Sequence, residues 1–287
     1  MPEFEGKTVL ITGSGSMGGI GADTALLFAE EGADVLVTGR NTERGEQVVK
    51  AIVHAGGTAR FLLADLANLD DVARLADQAG DVDVLVNNAA SYTVGPIPTL
   101  TADDFSLMYD SMVRAPYFLV QKLAPKMIAR RSGSIVNVSS TAGSVAIPGG
   151  MSLYGSCKAA LESLTRYWAA DFAESNVRVN AVAVGPTSSD NVVATMSSLG
   201  PGMLDAMAAS IPMGRWATPR EISQVILFLA SERSSYSTGG VFAADGGKVA
   251  VWLARRGNSS AVTGAVFDTG SFGTPQRESI LEGLVVL

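Results

Sequence analysis

The chain has 287 residues, of which 47% are hydrophobic and 17% charged, and it carries a formal net charge of −7. Such a length accommodates one large domain or two small ones, and the acidic balance argues against nucleic acid or an anionic membrane surface as a partner. One cysteine, Cys157, and one histidine, His54, exclude an intrachain disulfide and argue against a Ser–His triad, a Cys–His pair or a clustered metal site.

The first predicted elements are a strand from Lys7 to Thr12, a glycine-rich loop over residues 13–21 and a helix from Ala22 to Glu31. Glycines let a phosphate approach the backbone closely, and the start of a helix offers unpaired N–H groups to an anion. Strand, glycine loop and helix in this order predict a site for the phosphates of a dinucleotide.

A second strand, Asp34 to Thr38, is followed by Gly39 and Arg40. In a dinucleotide fold this strand end meets the adenine ribose, where an acidic residue binds the free 2′-hydroxyl and an arginine accommodates a 2′-phosphate. Gly39 stands in the place of the acid, so Arg40 favours NADP(H), with NAD(H) as the alternative cofactor. In the other interpretation, Arg40 is simply an exposed residue of a turn.

Strands and helices continue to alternate along the chain. Further strands are predicted over Thr58 to Leu63, Val82 to Val86, Ser134 to Val138, Val177 to Val182 and near Val241. A long helix is predicted from Thr101 to Arg130, and its Pro116 and Pro125 are expected to kink it or to end it early. The pattern predicts an α/β fold, a doubly wound parallel sheet of about seven strands with helices on both faces, as in a Rossmann fold.

Tyr154 and Lys158 are four residues apart at the start of a helical pattern that runs on through Ala159 to Phe172. At this spacing both side chains project from the same face of a helix. A cation near a phenol favours the phenolate, so we expect Lys158 to lower the pKa of Tyr154 from its usual ~10 and to make it a general acid or base near neutral pH. Taken alone, the pair is more often found on an exposed helix face than in a catalytic site.

An ordered set of motifs from Phe4 to Gly247 resembles the single-domain short-chain dehydrogenases/reductases, and among them the 3-oxoacyl carrier protein reductases. The motifs are Thr12-Gly13 through Gly21, Asp65-Leu66, Asn87-Asn88-Ala89, Ser139-Ser140, Tyr154 with Lys158, Asn180, Gly185-Pro186-Thr187, Gly214-Arg215-Trp216, Thr238-Gly239 and Asp245-Gly246-Gly247. The resemblance implies a Rossmann domain over residues 1–247, a substrate lid over residues 187–215, and dimer faces on the Thr101 and Tyr154 helices.

The resemblance also implies a role for each matching residue. Tyr154 would exchange a proton with a carbonyl or alcohol oxygen, Ser140 would polarise that oxygen, and Lys158 would hold the nicotinamide ribose and depress the pKa of Tyr154. The cofactor would be bound by Gly13, Ser14, Gly19, Ile20, Gly21, Arg40, Asp65, Leu66, Asn87, Ala89, Tyr154, Lys158, Gly185 and Thr187. For Asp65 and Asn87, the alternative is a polar strand end bonded to its own turn.

Three departures from the family pattern fall near the predicted site. The glycine loop is two residues longer than usual, and the insertion either bulges outward or lets its serines bond a 2′-phosphate. Ala90 replaces a glycine, which requires a negative φ. Met112 replaces an asparagine that helps to hold a water near the lysine; because a thioether is a weak acceptor and no donor, we expect the proton relay to be broken or rerouted.

The fourth departure is the C-terminal extension over residues 248–287. Its residues 259–267 match residues 234–242 at six of nine positions. We predict that this extension is a degenerate repeat of the last helix–strand unit and that it packs on the outer surface or on a neighbouring protomer.

The lid segment favours an apolar substrate, because it is rich in methionine and has no lysine or arginine before Arg215. We therefore expect an NADP(H)-dependent enzyme without a metal that transfers hydride between the cofactor and a carbonyl or secondary alcohol, as a homodimer or homotetramer. No signal peptide or membrane-length apolar run is present, so a cytoplasmic protein is expected. The alternative is a dinucleotide-binding relative with weak or no turnover that serves as a regulatory or assembly subunit.

Overall fold

Seven parallel strands form one sheet in the computed structural model, which describes residues 2–198 and 200–250. They are β1 (Thr8–Ile11), β2 (Asp34–Gly39), β3 (Thr58–Leu63), β4 (Val84–Asn87), β5 (Gly133–Ser140), β6 (Val177–Val184) and β7 (Val241–Ala244). Their spatial order is β3-β2-β1-β4-β5-β6-β7. The order reverses between β1 and β4, and ligands of such sheets bind at this switch point. The predicted doubly wound sheet is confirmed.

The helices cover both faces of the sheet. In the described residues they are α1 (Ile20–Glu30), α2 (Thr42–His54), α3 (Leu69–Ala79), α4 (Ala102–Tyr109), α5 (Ala115–Arg130), α6 (Thr141–Ser144), α7 (Ser152–Phe172), α8 (Asp190–Ser198), α9 (Met203–Ala209) and α10 (Pro219–Ala230). Side chains alternate along a strand, so Val9 and Ile11 pack with α1, α2 and α10, whereas Leu10 packs with α3, α5 and α7. This two-sided burial explains why the strands are apolar throughout.

The long helix predicted from Thr101 to Arg130 is interrupted between α4 and α5 by a π-helical turn, Asp110–Arg114. Pro116 follows this turn in the first turn of α5, where its missing N–H costs little. Pro125 lies inside α5 without ending it. The expected disturbance is therefore found before Pro116, and of the two alternatives given for Pro125, a kink or an early end, the early end is excluded.

The lid segment contains α8 and α9, which are separated at the Gly-Pro-Gly sequence of residues 200–202, as its residues predict. Within residues 2–198 and 200–250, no helix is both long and apolar enough to cross a membrane, and no group of three His, Cys, Asp or Glu side chains is placed to hold a metal ion. The predicted repeat over residues 248–287 lies outside the described residues, except for its first three positions.

Candidate active site

The carboxyl edge of the sheet brings the predicted site residues together. The glycine loop follows β1, Asn87 ends β4, Ser140 ends β5 and Gly185 follows β6. Tyr154 and Lys158 come from α7, which packs against β5 and β6. Residues that are far apart in the sequence therefore meet beside the switch point of the sheet.

Ser140 and Tyr154 form the polar centre of this edge. The Ser140 hydroxyl accepts a hydrogen bond from the backbone N–H of Ala142 at 3.2 Å and so caps α6. Tyr154 lies in the first turn of α7 and is half-buried. Burial raises the pKa of Tyr154 to about 12, and a hydrogen bond with Ser140 acts in the opposite direction. Tyr154 therefore keeps its proton at neutral pH and is able to donate it.

Lys158 lies one turn after Tyr154 on α7, with only 2% of its surface exposed. Its Nζ atom lies 5.6 Å from the centroid of the Tyr154 ring and donates a hydrogen bond to the carbonyl oxygen of Val138 at 2.8 Å. Burial lowers the pKa of Lys158 to about 8. The expectation that Lys158 lowers the pKa of Tyr154 is wrong for this structure, because burial of the phenol dominates and the ammonium bonds a backbone carbonyl instead.

Ser14 holds the glycine loop in place through its side chain, and its binding of the cofactor stays a prediction. It is fully buried, and its hydroxyl donates to the carbonyl oxygen of Ile11 at 2.7 Å and accepts from the backbone N–H of Thr38 at 3.0 Å. Its own backbone N–H donates to the Thr38 carbonyl. Because these bonds are made inside the protein, Ser14 ties the loop to β1 and β2 and its side chain cannot reach a ligand.

Gly13 brings the glycine loop against the segment that follows β4. Its φ is +67°, and a Cβ at this position would lie 2.7 Å from the Cα of Ala89. Only glycine permits both the conformation and the contact. Gly19, Ile20 and Gly21 form the start of α1, where no side chain caps the helix. The N–H groups of this first turn are oriented to bind an anion.

The two-residue insertion in the glycine loop contacts the lid. The backbone N–H of Asp190, the first residue of α8, donates to the carbonyl oxygen of Gly18 at 3.1 Å. Gly18 has a φ of +75°, and a Cβ there would lie 1.9 Å from an Asp190 carboxylate oxygen. Ser16 and Met17 are exposed beside this contact. The insertion therefore bridges loop and lid, and Ser16 is its exposed serine.

The ends of β2 and β3 form the side of the site predicted to hold adenosine. Arg40 is exposed directly after β2. Asp65 is half-buried, and its carboxylate accepts a hydrogen bond from the backbone N–H of Ala67 at 3.0 Å, as the turn interpretation predicts. Leu66 is buried in the apolar layer on that face of the sheet. Its side chain supports the turn, so Leu66 can contribute to a ligand only through its backbone.

The side chain of Asn87 is buried with one of its polar atoms unpaired. Its Nδ2 donates to the Oδ1 of Asn137 at 2.8 Å, and Asn137 in turn donates to Thr165 at 2.8 Å. The Oδ1 of Asn87 has no partner among the described residues. A buried acceptor without a donor is costly, so this atom fits a ligand that brings one.

Thr187 and Ala90 are two further positions of the family motifs that the structure describes. The hydroxyl of Thr187, which is buried, donates to the carbonyl oxygen of Gly185 at 3.0 Å, so its oxygen is left to accept a bond from a ligand. Among the described residues, the non-glycine residues with positive φ are Arg131 and Asn176. Ala90 thus has the negative φ that its methyl group needs.

Met112 lies in a buried apolar cluster with Met108, Leu153 and Cys157, against which Tyr154 packs. It is 1% exposed. The side chains of Met108, Leu153 and Cys157 offer no strong hydrogen-bonding group to a water molecule. The surroundings of Met112 therefore agree with the hypothesis that a proton relay does not pass through this position.

Two residues at the site were not predicted from the sequence. Tyr92, in the loop after β4, contacts the ring of Tyr154 edge to face, with 5.3 Å between the centroids. Glu162 on α7 is buried, and its Oε1 accepts hydrogen bonds from Ser139 and Ser144 at 2.8 and 3.1 Å. The helical pattern of α7 could have marked Glu162 as an inward-facing acid, but no pattern marks Tyr92.

Known proteins resemble the chain over most of its length. Residues 13–249 match the family model described as enoyl-(acyl carrier protein) reductase. The chain is 37% identical over 251 residues to the 3-oxoacyl-[acyl-carrier-protein] reductase FabG of Thermotoga maritima, covering 86% of this chain and 99% of that one. A solved short chain dehydrogenase/reductase family protein is 47% identical, with a TM-score of 0.80, and the match covers 87% of this chain and 100% of that one. A structure from Beutenbergia cavernae, described as an NAD(P)-dependent gluconate 5-dehydrogenase with NADP bound, is 34% identical, with a TM-score of 0.81, over 88% of this chain and 100% of that one.

Proposed function

Because the chain belongs to the short-chain dehydrogenase/reductase family, we propose that it interconverts a largely apolar ketone and the matching secondary alcohol with NADP(H). The observation that carries this proposal is the convergence of Ser140, Tyr154 and Lys158 beside the glycine loop. Ser140 supplies a polarising hydroxyl, Tyr154 a proton donor and Lys158 a cation, all at one edge of the sheet.

The three side chains divide the chemistry between them. Tyr154, which burial keeps protonated, donates its proton to the carbonyl oxygen of the substrate. The Ser140 hydroxyl already accepts from Ala142, so it turns its own proton toward the same oxygen. Lys158 has three N–H donors and gives one to Val138; the remaining donors are free to hold ribose hydroxyls.

The residues present fit a nicotinamide dinucleotide. The tight approach at Gly13, the uncapped start of α1 and the unpaired Oδ1 of Asn87 provide a phosphate cradle and a buried acceptor. Arg40, exposed at the end of β2, supports binding of a 2′-phosphate, and the Beutenbergia cavernae structure with NADP bound supports the same preference. When bound, the nicotinamide supplies or accepts the hydride, and the protein provides position and the proton.

The lid supports an apolar substrate. Met203 is buried and Met213 is exposed, and residues 187–214 contain no lysine or arginine that could bind a carboxylate or phosphate. The relative from Thermotoga maritima acts on 3-oxoacyl groups, whose carbonyl lies in an apolar chain. We therefore place the substrate among ketones with apolar substituents.

A second candidate is a dinucleotide-binding protein with weak or no turnover. It is favoured by the apolar surroundings of Met112 and by the bond between Lys158 and Val138, because both separate Lys158 from solvent protons. Retention of Ser140 and Tyr154 in contact favours the enzyme.

The test is oxidation of NADPH and NADH across a panel of ketones, with the Tyr154→Phe variant as control. We expect turnover with NADPH, and a loss of about 10²- to 10⁴-fold in the variant, which lacks the proton donor. Cofactor binding without turnover of any ketone would favour the second candidate. Equal activity in Tyr154→Phe would refute the proposed proton donor.

Family membership also supports a homodimer or homotetramer, formed through α5 and α7. A groove of about 480 Å³ lies between these helices and is lined by aromatic residues, among them Tyr117, Phe118 and Tyr167. Tyr117 and Tyr167 are 46% and 70% exposed. Light scattering on wild type and on Tyr167→Glu measures the molar mass of the assembly. A monomeric wild type would contradict the proposed homodimer or homotetramer.

A further inference from the structure

The aromatic ring of Tyr92 is the least explained feature at the mouth of the site. It is 55% exposed, although its ring contacts Tyr154 edge to face at 5.3 Å. A large aromatic side chain that is half open to solvent beside a reactive group is typical of a ligand-binding wall. Nothing in the proton or cofactor chemistry of the site uses it.

Two contacts fix the loop that carries Tyr92. The hydroxyl of Ser111 donates to the hydroxyl of Ser91 at 2.9 Å, which ties the loop to the π-helical turn. The backbone N–H of Gly95 donates to the carbonyl oxygen of Gly150 at 3.2 Å, which ties it to the segment before α7. The ring therefore stands on a loop that is held at both sides, and it needs little ordering when a ligand arrives.

The hydroxyl of Tyr92 contributes little to this arrangement. It donates to the Sδ of Met151 at 3.3 Å, and a thioether is a weak acceptor. The functional part of the residue is then its ring face. Because the two rings are in contact, a carbonyl compound that accepts a proton from Tyr154 has its substituents near the Tyr92 ring.

On the basis of the proposed function, we propose that Tyr92 is a specificity-determining residue that selects ketones with a flat, unsaturated or aromatic substituent on the carbonyl carbon. Aromatic pairs gain binding energy beyond the area that they bury. A polyol substrate would bring hydroxyl groups against the ring face, which has no strong hydrogen-bonding partner for them, so sugar acids and sugar alcohols fit this face poorly.

The experiment compares acetophenone with cyclohexyl methyl ketone, which differ in the π-system but little in size. The quantity measured is the ratio of their kcat/KM values with NADPH, in wild type, Tyr92→Phe, Tyr92→Leu and Tyr236→Leu. Tyr236 is fully exposed in the segment before β7, at the opposite edge of the sheet, and serves as the matched control. Because a ratio is used, a general loss of activity in a variant does not distort the result.

We expect wild type, Tyr92→Phe and Tyr236→Leu to prefer the aryl ketone, and Tyr92→Leu to lose about 2- to 12-fold of that preference. An unchanged ratio in Tyr92→Leu would overturn the inference. If wild type turns over neither these two ketones nor any other ketone of the panel, the proposed function fails. Calorimetric affinities of the two ketones in the presence of NADP+ then give the same ratio and decide the role of Tyr92 separately.

Discussion

The Nζ atom of Lys158 donates to the carbonyl oxygen of Val138 at 2.8 Å inside the protein, with 2% of the lysine exposed. A single neutral carbonyl replaces only part of the hydration that an ammonium loses on burial. This is the physical reason why the pKa of Lys158 falls to about 8.

The first prediction concerns the pH dependence of stability. The unfolded chain keeps the Lys158 proton up to pH ~10.5 and the folded chain only to about 8, so the unfolded state binds more protons between these values. The lysine penalty is present below pH 8 and is relieved as the pH rises, which adds about 3 kcal/mol to the free energy of unfolding. Urea unfolding from about pH 7.5 to about pH 9 measures the first part of this rise, about 1 kcal/mol. It should be absent in Lys158→Met and retained in Lys122→Met, an exposed control on α5.

Arg40 is predicted to set the cofactor preference. Its replacement by alanine removes a charge-assisted contact with the 2′-phosphate, so NADPH affinity should fall about 10- to 100-fold while NADH affinity changes little. Fluorescence titration of both cofactors measures the change, and Lys50→Ala on α2 is the control. Tighter binding of NADH than of NADPH by wild type would contradict the assignment.

Met112→Asn tests the proton relay. An amide can hold a water molecule where the thioether cannot, so we expect a higher kcat and an altered pH profile of kcat. The variant should also lose about 1–3 kcal/mol of stability, since the amide enters the cluster of Met108, Leu153 and Cys157. Met112→Leu keeps the cluster apolar and should match wild type in kcat. The same kcat and pH profile in Met112→Asn would show that no relay is limited at this position.

Glu162 is predicted to position the end of β5. Its carboxylate accepts from Ser139 and Ser144, on either side of Ser140 in the chain. Glu162→Leu removes the carboxylate acceptor of both hydroxyls and leaves Ser139 only a long bond of 3.4 Å to the Lys158 carbonyl. The change should cost about 1–3 kcal/mol and lower kcat more than it raises KM. Glu162→Gln keeps an acceptor oxygen and should restore most of the stability and most of kcat. If leucine lowered stability alone, with kcat intact, the residue would be structural only.

Gly18→Ala tests the contact between the glycine loop and the lid. The added Cβ would lie 1.9 Å from the carboxylate of Asp190, so this side chain must turn away from the loop at the start of α8, and the KM for the ketone should rise. Gly56→Ala is the matched control, because Gly56 has a φ of +88° but no atom near its Cβ position. Both variants should lose about 1–2 kcal/mol of stability from the left-handed conformation. A rise in KM in both variants, or in neither, would argue against the contact.

Strand and helix positions could be predicted because each depends on a local apolar pattern. β3 begins and ends at the predicted residues. The directions of individual polar side chains could not be predicted, because they depend on neighbours from distant segments. Ser14 faces Ile11 and Thr38, and Lys158 meets a carbonyl of β5 across twenty residues. A motif specifies which residue is present and leaves open where its hydrogen bonds go.

The π-helical turn Asp110–Arg114 lets one long helix serve two partners. Before it, Met108 faces Cys157 beside the reactive tyrosine, and after it, Leu119 and Leu123 fill the layer under the sheet. A regular helix turns about 100° with each residue, so removing one residue from this turn would swing one of the two faces away from its partner. A one-residue deletion is thus harmful at this point even though the segment is long, and a shortened relative would have to rebuild either its reactive pocket or its core.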